Sequence, residues 1–252
     1  MRLKNEVAMI TGGGSGMGRA GAIRFAAEGA KVVVVDINQQ AAEQTRDLII
    51  KQGGEAIAVV ADVALEADND TAVQAAVKQF GKLTILWANA GIAAPATPIG
   101  ETSPETFDRL LSVNSRGPWL AARAAESAFR AAGGGSIVIT SSLSGLKGRP
   151  GNSAYASSKG AAAMLTKALA IEFAPVIRVN SVCPVATDTP MLPEFTKTAP
   201  DPDAARERVV SGIPMKRLAT TEDIANAALF LASSEAAMIT GLNLPVDGGS
   251  LA

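Results

Sequence analysis

The chain contains 252 residues, of which 48% are hydrophobic, so it is long enough for one α/β domain with a sizeable core. Its 23 basic and 24 acidic side chains leave a formal net charge of -1, which argues against a nucleic-acid partner or an anionic membrane surface. The single cysteine, Cys183, excludes an intramolecular disulfide and is interpreted as a small buried residue, and the absence of histidine argues against a zinc site.

Two features of the sequence concern its location. The N-terminal segment MRLKNEV leads directly into a strand pattern, without a long apolar region or a cleavage site. No uncharged apolar run reaches the length that crosses a membrane. We therefore expect a cytoplasmic protein without a membrane partner, a nucleic-acid partner or a bound metal.

Short apolar runs rich in valine and isoleucine recur along the chain and predict β-strands. They are continuous rather than alternating, which is typical of strands covered on both faces. The runs are 7–11, 31–36, 56–62, 83–90, 136–141, 176–182 and the closing LNLPVD at 242–247. Between them, alanine-rich segments with helical spacing predict helices at 19–28, 39–52, 66–80, 104–131, 154–174 and 221–233. The last of these is expected to begin at Thr221, before two acidic residues.

This alternation predicts an α/β fold. Repeated strand–helix units imply right-handed crossovers and a doubly wound, mostly parallel sheet of about seven strands with helices on both faces, the Rossmann fold. No linker or repeat divides the chain, so we expect a single domain over 1–252. One long irregular stretch, 184–212, contains five prolines and is interpreted as a substrate lid, with an insertion of no function as the alternative.

The segment TGGGSGMG, Thr11 to Gly18, lies between the first predicted strand and the first predicted helix. Glycines there let the backbone approach a pyrophosphate, and the helix N-terminus offers free N–H groups. Two registers compete, GxGxxG on Gly16, Gly18 and Gly21, and TGxxxGxG on Gly12, Gly16 and Gly18. The second begins at the strand end and is preferred. The segment predicts a nucleotide site, and a plain glycine-rich turn is the alternative.

Asp36 ends the second predicted strand. An acid at that point accepts hydrogen bonds from the ribose hydroxyls of NAD and repels the 2′-phosphate of NADP. Positions 15, 37 and 38 are Ser, Ile and Asn, so no cation is placed to hold that phosphate. We therefore predict NAD over NADP as the cofactor, with a solvated aspartate at a strand end as the alternative.

The only tyrosine of the chain, Tyr155, precedes Lys159 by four residues within a predicted helix. Residues at i and i+4 share a helix face, so both side chains can point into one cleft. A free tyrosine has a pKa of about 10, and a nearby ammonium together with a positively charged nicotinamide ring lowers that pKa toward neutrality. The pair predicts a proton-transfer tyrosine tuned by a lysine. Spacing alone leaves open a partly buried helix tyrosine without a catalytic role.

Together these motifs resemble the short-chain dehydrogenase/reductases, along nearly the whole chain. The matching segments are TGGGSGMG, Asp62–Val63, NAG at Asn89–Gly91, Asn114, Ser142, YASSK, Asn180, CPVATDTP at 183–190 and VDGG at 246–249. YxxxK alone is common by chance. Its combination with the glycine loop, the NAG segment and a serine 13 residues before the tyrosine is highly specific.

The resemblance implies hydride transfer between NAD(H) and a secondary alcohol or ketone. Tyr155 would be the general acid/base and Ser142, rather than the adjacent Ser141, would hold the substrate oxygen. Lys159 would lower the pKa of Tyr155 and bind the nicotinamide ribose, and Asn114 would hold a water in the proton path. With the glycine loop and the acid, the predicted cofactor-binding residues are Gly12, Ser15, Gly16, Met17, Gly18, Asp36, Ile37, Asp62, Val63, Asn89, Gly91, Tyr155, Lys159, Pro184, Thr187 and Thr189. The resemblance also implies a homotetramer, built through the helices at 104–131 and 154–174 and the C-terminal segment.

Two local features bear on this site. Pro118 lacks the N–H to which the carbonyl of Asn114 would bond in a helix, so the helix should kink and the carbonyl could accept a water. A proline that only kinks the helix is the alternative. After the sixth strand, Val185 follows Pro184 where the family usually has glycine. Its Cβ could shift the nicotinamide or narrow the substrate entrance.

The substrate pocket is expected at 93–97, the 143–152 loop and the lid, with Ala93, Ser144, Asn152 and Met191 as substrate residues. The lid is apolar and no arginine pair is placed to clamp an anion, although Arg149 could approach. These features favour a neutral, moderately apolar alcohol or ketone. A 3-oxoacyl thioester (acyl-carrier-protein) reductase is the alternative, although such enzymes usually use NADPH. A non-catalytic NAD-binding regulator is the alternative from another class.

Overall fold

The computed structural model describes residues 1–195 and 201–252, and seven strands lie within them. The strands are β1 Val7–Thr11, β2 Lys31–Asp36, β3 Ala56–Val60, β4 Ile85–Ala88, β5 Gly135–Thr140, β6 Ile177–Pro184 and β7 Asn243–Val246. All of them pair in parallel, in the order β3-β2-β1-β4-β5-β6-β7. The strand order reverses between β1 and β4, and the carboxyl ends of the strands open a crevice there.

Helices cover both faces of the sheet, as the sequence predicts for a doubly wound Rossmann fold. They are α1 Gly16–Ala27, α2 Gln39–Lys51, α3 Glu66–Phe80, α4 Pro104–Leu111, α5 Gly117–Ala131, α6 Ser153–Phe173, α7 Pro202–Ser211 and α8 Thr221–Ala232. Helices α1, α2 and α8 pack on one face, and α3, α5 and α6 pack on the other. Among the helices of the described residues, none combines the length and the apolar character that a bilayer crossing requires.

The continuous apolar character of the strands follows from this two-sided packing. In β2, Val32 and Val34 belong to the core beneath α1 and α8, whereas Val33 and Val35 belong to the core beneath α3 and α5. Successive side chains of a strand point to opposite faces, so both faces must be apolar. Phe25 of α1 stacks on Trp87 of β4, with ring centroids 5.8 Å apart, and fixes that helix on the sheet.

The helix predicted over 104–131 is interrupted. Helix α4 ends at Leu111, a π-helical turn follows over Ser112–Arg116, and α5 then continues. The Gly117 N–H donates to the carbonyl of Ser112, five residues back. The turn ends two residues before Pro118, the position at which the sequence predicts a kink. A π-bulge at such a point often marks a functional site.

One boundary prediction is confirmed and another is wrong. Helix α8 begins at Thr221, as predicted, and Thr220 caps it, because its hydroxyl accepts from the Asp223 N–H while the Asp223 side chain accepts from the Thr220 N–H. The stretch 184–212 is not irregular throughout, because β6 extends to Pro184 and α7 occupies 202–211. Pro202, one of the five prolines that suggested a loop, stands at the first helical position of α7, where its missing N–H costs nothing. Residues 196–200 of the predicted lid lie outside the described residues.

Candidate active site

A cavity of about 770 Å³, here called the crevice cavity, opens at the carboxyl ends of β1, β2 and β4. The predicted cofactor-binding residues that line it are Gly12, Ser15, Gly16, Met17, Asp36, Ile37, Asp62, Val63, Asn89, Gly91 and Thr189. The strand order reverses at this place, which is where open α/β sheets bind their ligands. The structure thus brings most of the predicted cofactor residues to one cavity.

The glycines of the loop divide into two roles. Gly12 has φ +63°, and a Cβ there would stand 2.9 Å from the Ala90 Cα, so the turn requires glycine. A Cβ on Gly18 would stand 2.1 Å from the Gly12 carbonyl oxygen, and one on Gly21 would stand 1.8 Å from the Trp87 ring. Gly18 therefore packs helix α1 against the loop instead of lining the cavity. Gly21 does the same against the sheet.

Asp36 is held in place at the end of β2. One carboxylate oxygen accepts from the Gly14 N–H and the other from the Asn38 N–H, each at 2.9 Å. The side chain of Ile37 next to it is 68% exposed. Two backbone donors thus orient the carboxylate at the wall of the crevice cavity.

Asn89 joins the ends of three strands. Its amide donates to the Thr11 carbonyl at 3.1 Å, and its oxygen accepts from the Thr140 hydroxyl at 3.1 Å. The Thr140 hydroxyl in turn accepts from the Trp87 indole N–H at 2.9 Å, and the Thr11 hydroxyl accepts the N–H of Asn89. This network ties β1, β4 and β5 together beneath the crevice cavity. The NAG segment is thus both a structural support and part of the cavity wall.

A second cavity of about 250 Å³ adjoins the first, and we call it the tyrosine cavity. Its lining includes the predicted residues Ser142, Ser144, Asn152, Tyr155, Lys159, Pro184, Thr187 and Met191. Both cavities share Met17, Asn89, Gly91, Ile92, Thr189 and Met191. Of the predicted substrate residues, Ala93 lines neither cavity, whereas Ile92 and Ala96 of the same segment line the tyrosine cavity.

Tyr155 stands in the first turn of α6 and is 8% exposed. The ring of Phe195, from the predicted lid, packs edge-on against it with centroids 5.3 Å apart. Burial raises the pKa of Tyr155 to about 12, and hydrogen bonding to Ser142 lowers it by a smaller amount. In the protein chain by itself, desolvation of the phenolate outweighs every favourable contact. The lowering of this pKa by Lys159 together with a positively charged nicotinamide stays a prediction.

Lys159 lies one helical turn further along α6 and is 4% exposed. Its ammonium donates to the Thr140 carbonyl at 2.8 Å, and burial lowers its pKa to about 8. The Ser141 hydroxyl donates to the Lys159 carbonyl at 2.8 Å, so this serine fixes the helix backbone. Ser142 is left as the serine beside the tyrosine, as its spacing predicts.

Asn114 lies in the π-helical turn, is fully buried and lines neither cavity. Its oxygen accepts from the Ile92 N–H at 2.8 Å, and its amide donates to the Ile92 carbonyl at 3.0 Å and to the Ser158 hydroxyl at 3.1 Å. A Cβ on Gly91 would stand 3.0 Å from the Asn114 oxygen and 3.2 Å from the Lys159 ammonium. Asn114 therefore positions the Gly91–Ile92 backbone close to Lys159, and the water that it is expected to hold stays a prediction.

Several supporting residues have no signal in the sequence. Thr140 anchors Lys159 through its backbone carbonyl, which any residue would offer. Thr11 and Ser158 act through hydroxyl contacts that only the fold brings together. Cys183 is fully buried, as interpreted, and burial raises the pKa of its thiol. No group of three or more Cys, Asp or Glu side chains in the described part of the chain could hold a metal ion.

The comparisons with known proteins agree with this geometry. The profile of a family described as enoyl-(acyl carrier protein) reductase matches residues 12–250. The 2,5-dichloro-2,5-cyclohexadiene-1,4-diol dehydrogenase of Sphingobium indicum is 43% identical over 249 residues, covering 98% of this chain and 97% of its own. The chain belongs to the short-chain dehydrogenase/reductase family.

Two solved structures of short-chain dehydrogenase/reductases resemble this chain over nearly their full length. The crystal structure of levodione reductase has a TM-score of 0.96 and 35% identity, covering 100% of both chains. A 3-ketoacyl-(acyl-carrier-protein) reductase from Brucella melitensis, complexed with NADH, has a TM-score of 0.91 and 43% identity, covering 98% of this chain and 99% of its own. The predicted family and fold are confirmed.

Proposed function

We propose that the protein transfers a hydride between NAD(H) and a secondary alcohol or ketone, with Tyr155 as general acid/base. One observation carries this proposal: Ser142, Tyr155 and Lys159 line one small cavity, and that cavity adjoins a glycine-walled crevice with Asp36 at its rim. Relatives named as dehydrogenases and reductases, and a similar structure complexed with NADH, support the same chemistry.

The residues of the crevice cavity fit a dinucleotide. Gly12, Ser15 and Gly16 line this cavity at the N-terminus of α1, where free backbone N–H groups could hold a pyrophosphate. Asp36 would accept from the ribose hydroxyls, which favours NAD over NADP. Thr187 and Thr189 line the tyrosine cavity, where they would meet the nicotinamide end. The bound cofactor supplies the hydride acceptor or donor, and every proton step is left to the protein.

In the reductive direction, Tyr155 begins in the right protonation state. Its raised pKa keeps the hydroxyl protonated near neutral pH, so it can donate a proton to the carbonyl oxygen while Ser142 hydrogen-bonds the same oxygen. In the oxidative direction Tyr155 must take the hydroxyl proton, and its pKa must fall. The Lys159 ammonium would supply the stabilising charge by exchanging its contact with the Thr140 carbonyl for the phenolate side of the cavity.

A second candidate function is reduction of a 3-oxoacyl thioester. The 43% identity to a 3-ketoacyl-(acyl-carrier-protein) reductase that was solved with NADH favours it. Such enzymes usually prefer NADPH, which Asp36 disfavours. Because the similar reductase was solved with NADH, Asp36 argues less strongly against this function. The tyrosine cavity of about 250 Å³ suits a compact substrate better than a long acyl chain, so we rank the small alcohol or ketone first.

The test is absorbance of reduced nicotinamide with purified protein and a panel of secondary alcohols, ketones and one 3-oxoacyl thioester. We expect turnover with NAD(H), and turnover of small ketones at least tenfold above the thioester in kcat/KM. A thioester preference would establish the second candidate instead. Tight NAD binding without turnover of any compound would overturn the proposal in favour of a non-catalytic regulator.

We further infer a cytoplasmic homotetramer. Large apolar side chains stand exposed on the two helices that the family resemblance assigns to subunit contacts, Trp119 on α5 and Met164 and Ile171 on α6. Ile171 is 83% exposed and Met164 is 62% exposed, and a second subunit packed on α6 would cover both. The single cysteine fits a reducing compartment. Light scattering of the wild type and of Ile171→Glu tests the assembly, and cell fractionation tests the location.

A further inference from the structure

A third cavity, of about 380 Å³, lies beside the tyrosine cavity, and we call it the arginine cavity. Its lining residues are Arg149, Val185, Phe195, Ala205, Arg208, Val209, Gly212 and Ile213. Four of these residues, Arg149, Val185, Phe195 and Val209, also line the tyrosine cavity. A substrate whose carbinol carbon lies at Tyr155 could therefore extend past shared walls into the arginine cavity.

The charges that face these two cavities all have one sign. The charged residues of the combined lining are Arg149, Lys159 and Arg208, and no acid is among the described lining residues. Over 1–195 and 201–252, neither Arg149 nor Arg208 forms an ion pair, whereas Arg206 of the same helix lies 3.7 Å from Asp188. Two unpaired guanidinium groups around one cavity repel each other, and an anion between them would relieve that repulsion.

We propose that Arg149 and Arg208 bind a carboxylate at the far end of the substrate, while Tyr155 and Ser142 hold the reacting oxygen. This assignment rests on the proposed function and narrows its substrate to secondary hydroxy acids and keto acids. The planar guanidinium matches a carboxylate through two parallel hydrogen bonds, so a pair of arginines selects this group strongly. The apolar walls from Val185, Phe195 and Val209 would enclose the connecting carbon chain.

The sequence favoured a neutral substrate because no arginine pair is visible in it. Arg149 lies in the loop after β5, and Arg208 lies on α7. The sequence does not predict this helix, because the prolines of 184–212 indicate an irregular stretch. No spacing rule joins the two residues, and only the fold brings them to one cavity. The carboxylate site lies at the distal end of the substrate and leaves the apolar character of the tyrosine cavity unchanged.

The test compares secondary hydroxy acids of increasing chain length with their methyl esters, which match them in shape and lack the charge. We expect an optimum chain length at which the acid exceeds its ester in kcat/KM by about tenfold, since an exposed charge-assisted contact contributes roughly that factor. High salt should lower the preference, because exposed charges are screened. Arg208→Gln should raise KM for the acid about tenfold and leave kcat for the acid and the kinetics of the ester unchanged. Arg149 also borders the tyrosine cavity, so Arg149→Gln should raise KM for the acid by a larger factor than KM for the ester.

Two further variants serve as controls. Arg208→Lys keeps the charge without the fork and should retain part of the preference. Arg130→Gln removes a cation of α5 that pairs with Glu126, and it should leave the kinetics of both the acid and the ester unchanged. Equal kinetics for acid and ester at every length, with turnover of both, would overturn the carboxylate site and leave the proposed function standing. Absence of turnover with every secondary alcohol and ketone would overturn the proposed function itself. Unchanged ester turnover in Arg208→Gln shows that this variant is folded.

Discussion

Replacement of Asp36 should change which dinucleotide the protein uses. In the wild type, two backbone N–H groups aim the Asp36 carboxylate at the crevice cavity, so its charge is fixed at the wall. Two unit charges about 5 Å apart repel by roughly 1 kcal/mol in water-like surroundings and by about 3 kcal/mol at an effective dielectric constant of 20. We expect Asp36→Ala to remove a repulsion of this size from the binding of NADP.

NAD should lose affinity in the same variant. Hydrogen bonds from the ribose hydroxyls to a carboxylate contribute about 1.5 to 3 kcal/mol. Together the two effects lower the NAD to NADP ratio of kcat/KM by about a hundredfold or more. Initial rates with each cofactor on one substrate measure it, and Asp36→Asn, which keeps the size and loses the charge, separates repulsion from hydrogen bonding. A ratio within about threefold of the wild type would refute the reasoning.

Three further changes test other parts of the structure. Gly18→Ala should weaken NAD binding at least tenfold in a fluorescence titration, because its Cβ would stand 2.1 Å from the Gly12 carbonyl oxygen; unchanged affinity would contradict the packing role. Val185→Gly should lower KM for bulky ketones but not for small ones, because Val185 lines both the tyrosine and the arginine cavities. Lys159 has its pKa lowered from 10.5 to about 8, so the unfolded chain binds more protons between these values and stability should rise with pH there. Urea unfolding of Lys159→Met at pH 8 and pH 10 should lack that rise, and an equal rise in the variant would refute it.

The fold was predictable because local patterns and global packing agree. The strand runs are continuous because helices cover both faces of the sheet, and the valines of β2 enter two cores in alternation. Prediction failed where one residue type occurs in two structural contexts, as proline does in loops and in the first turn of a helix. Pro202 reads as a loop signal and begins α7 instead, and Pro118 follows a π-helical turn inside what the sequence presents as one long helix.

The site was predictable where side chains themselves define it. Asp36, Ser142, Tyr155 and Lys159 all lie where their motifs place them, around adjoining cavities. Contacts made by backbone atoms cannot be recognised in a sequence, and the Thr140 carbonyl that accepts from the Lys159 ammonium is one of them. The direction of the Tyr155 pKa was also beyond the sequence, because it depends on how completely the ring is buried. Arg208 could not be assigned to a substrate site before α7 was known.

The hydroxyl of Tyr155 is the group on which the proposed chemistry depends. Tyr155→Phe removes that oxygen and keeps the ring that packs against Phe195, so the cavity should hold its shape. With NAD affinity verified by fluorescence titration, kcat for a confirmed alcohol substrate should fall by at least about a hundredfold, the typical contribution of general acid–base catalysis. Turnover within about twofold of the wild type, with NAD bound as tightly, would contradict the assignment of proton transfer to this residue.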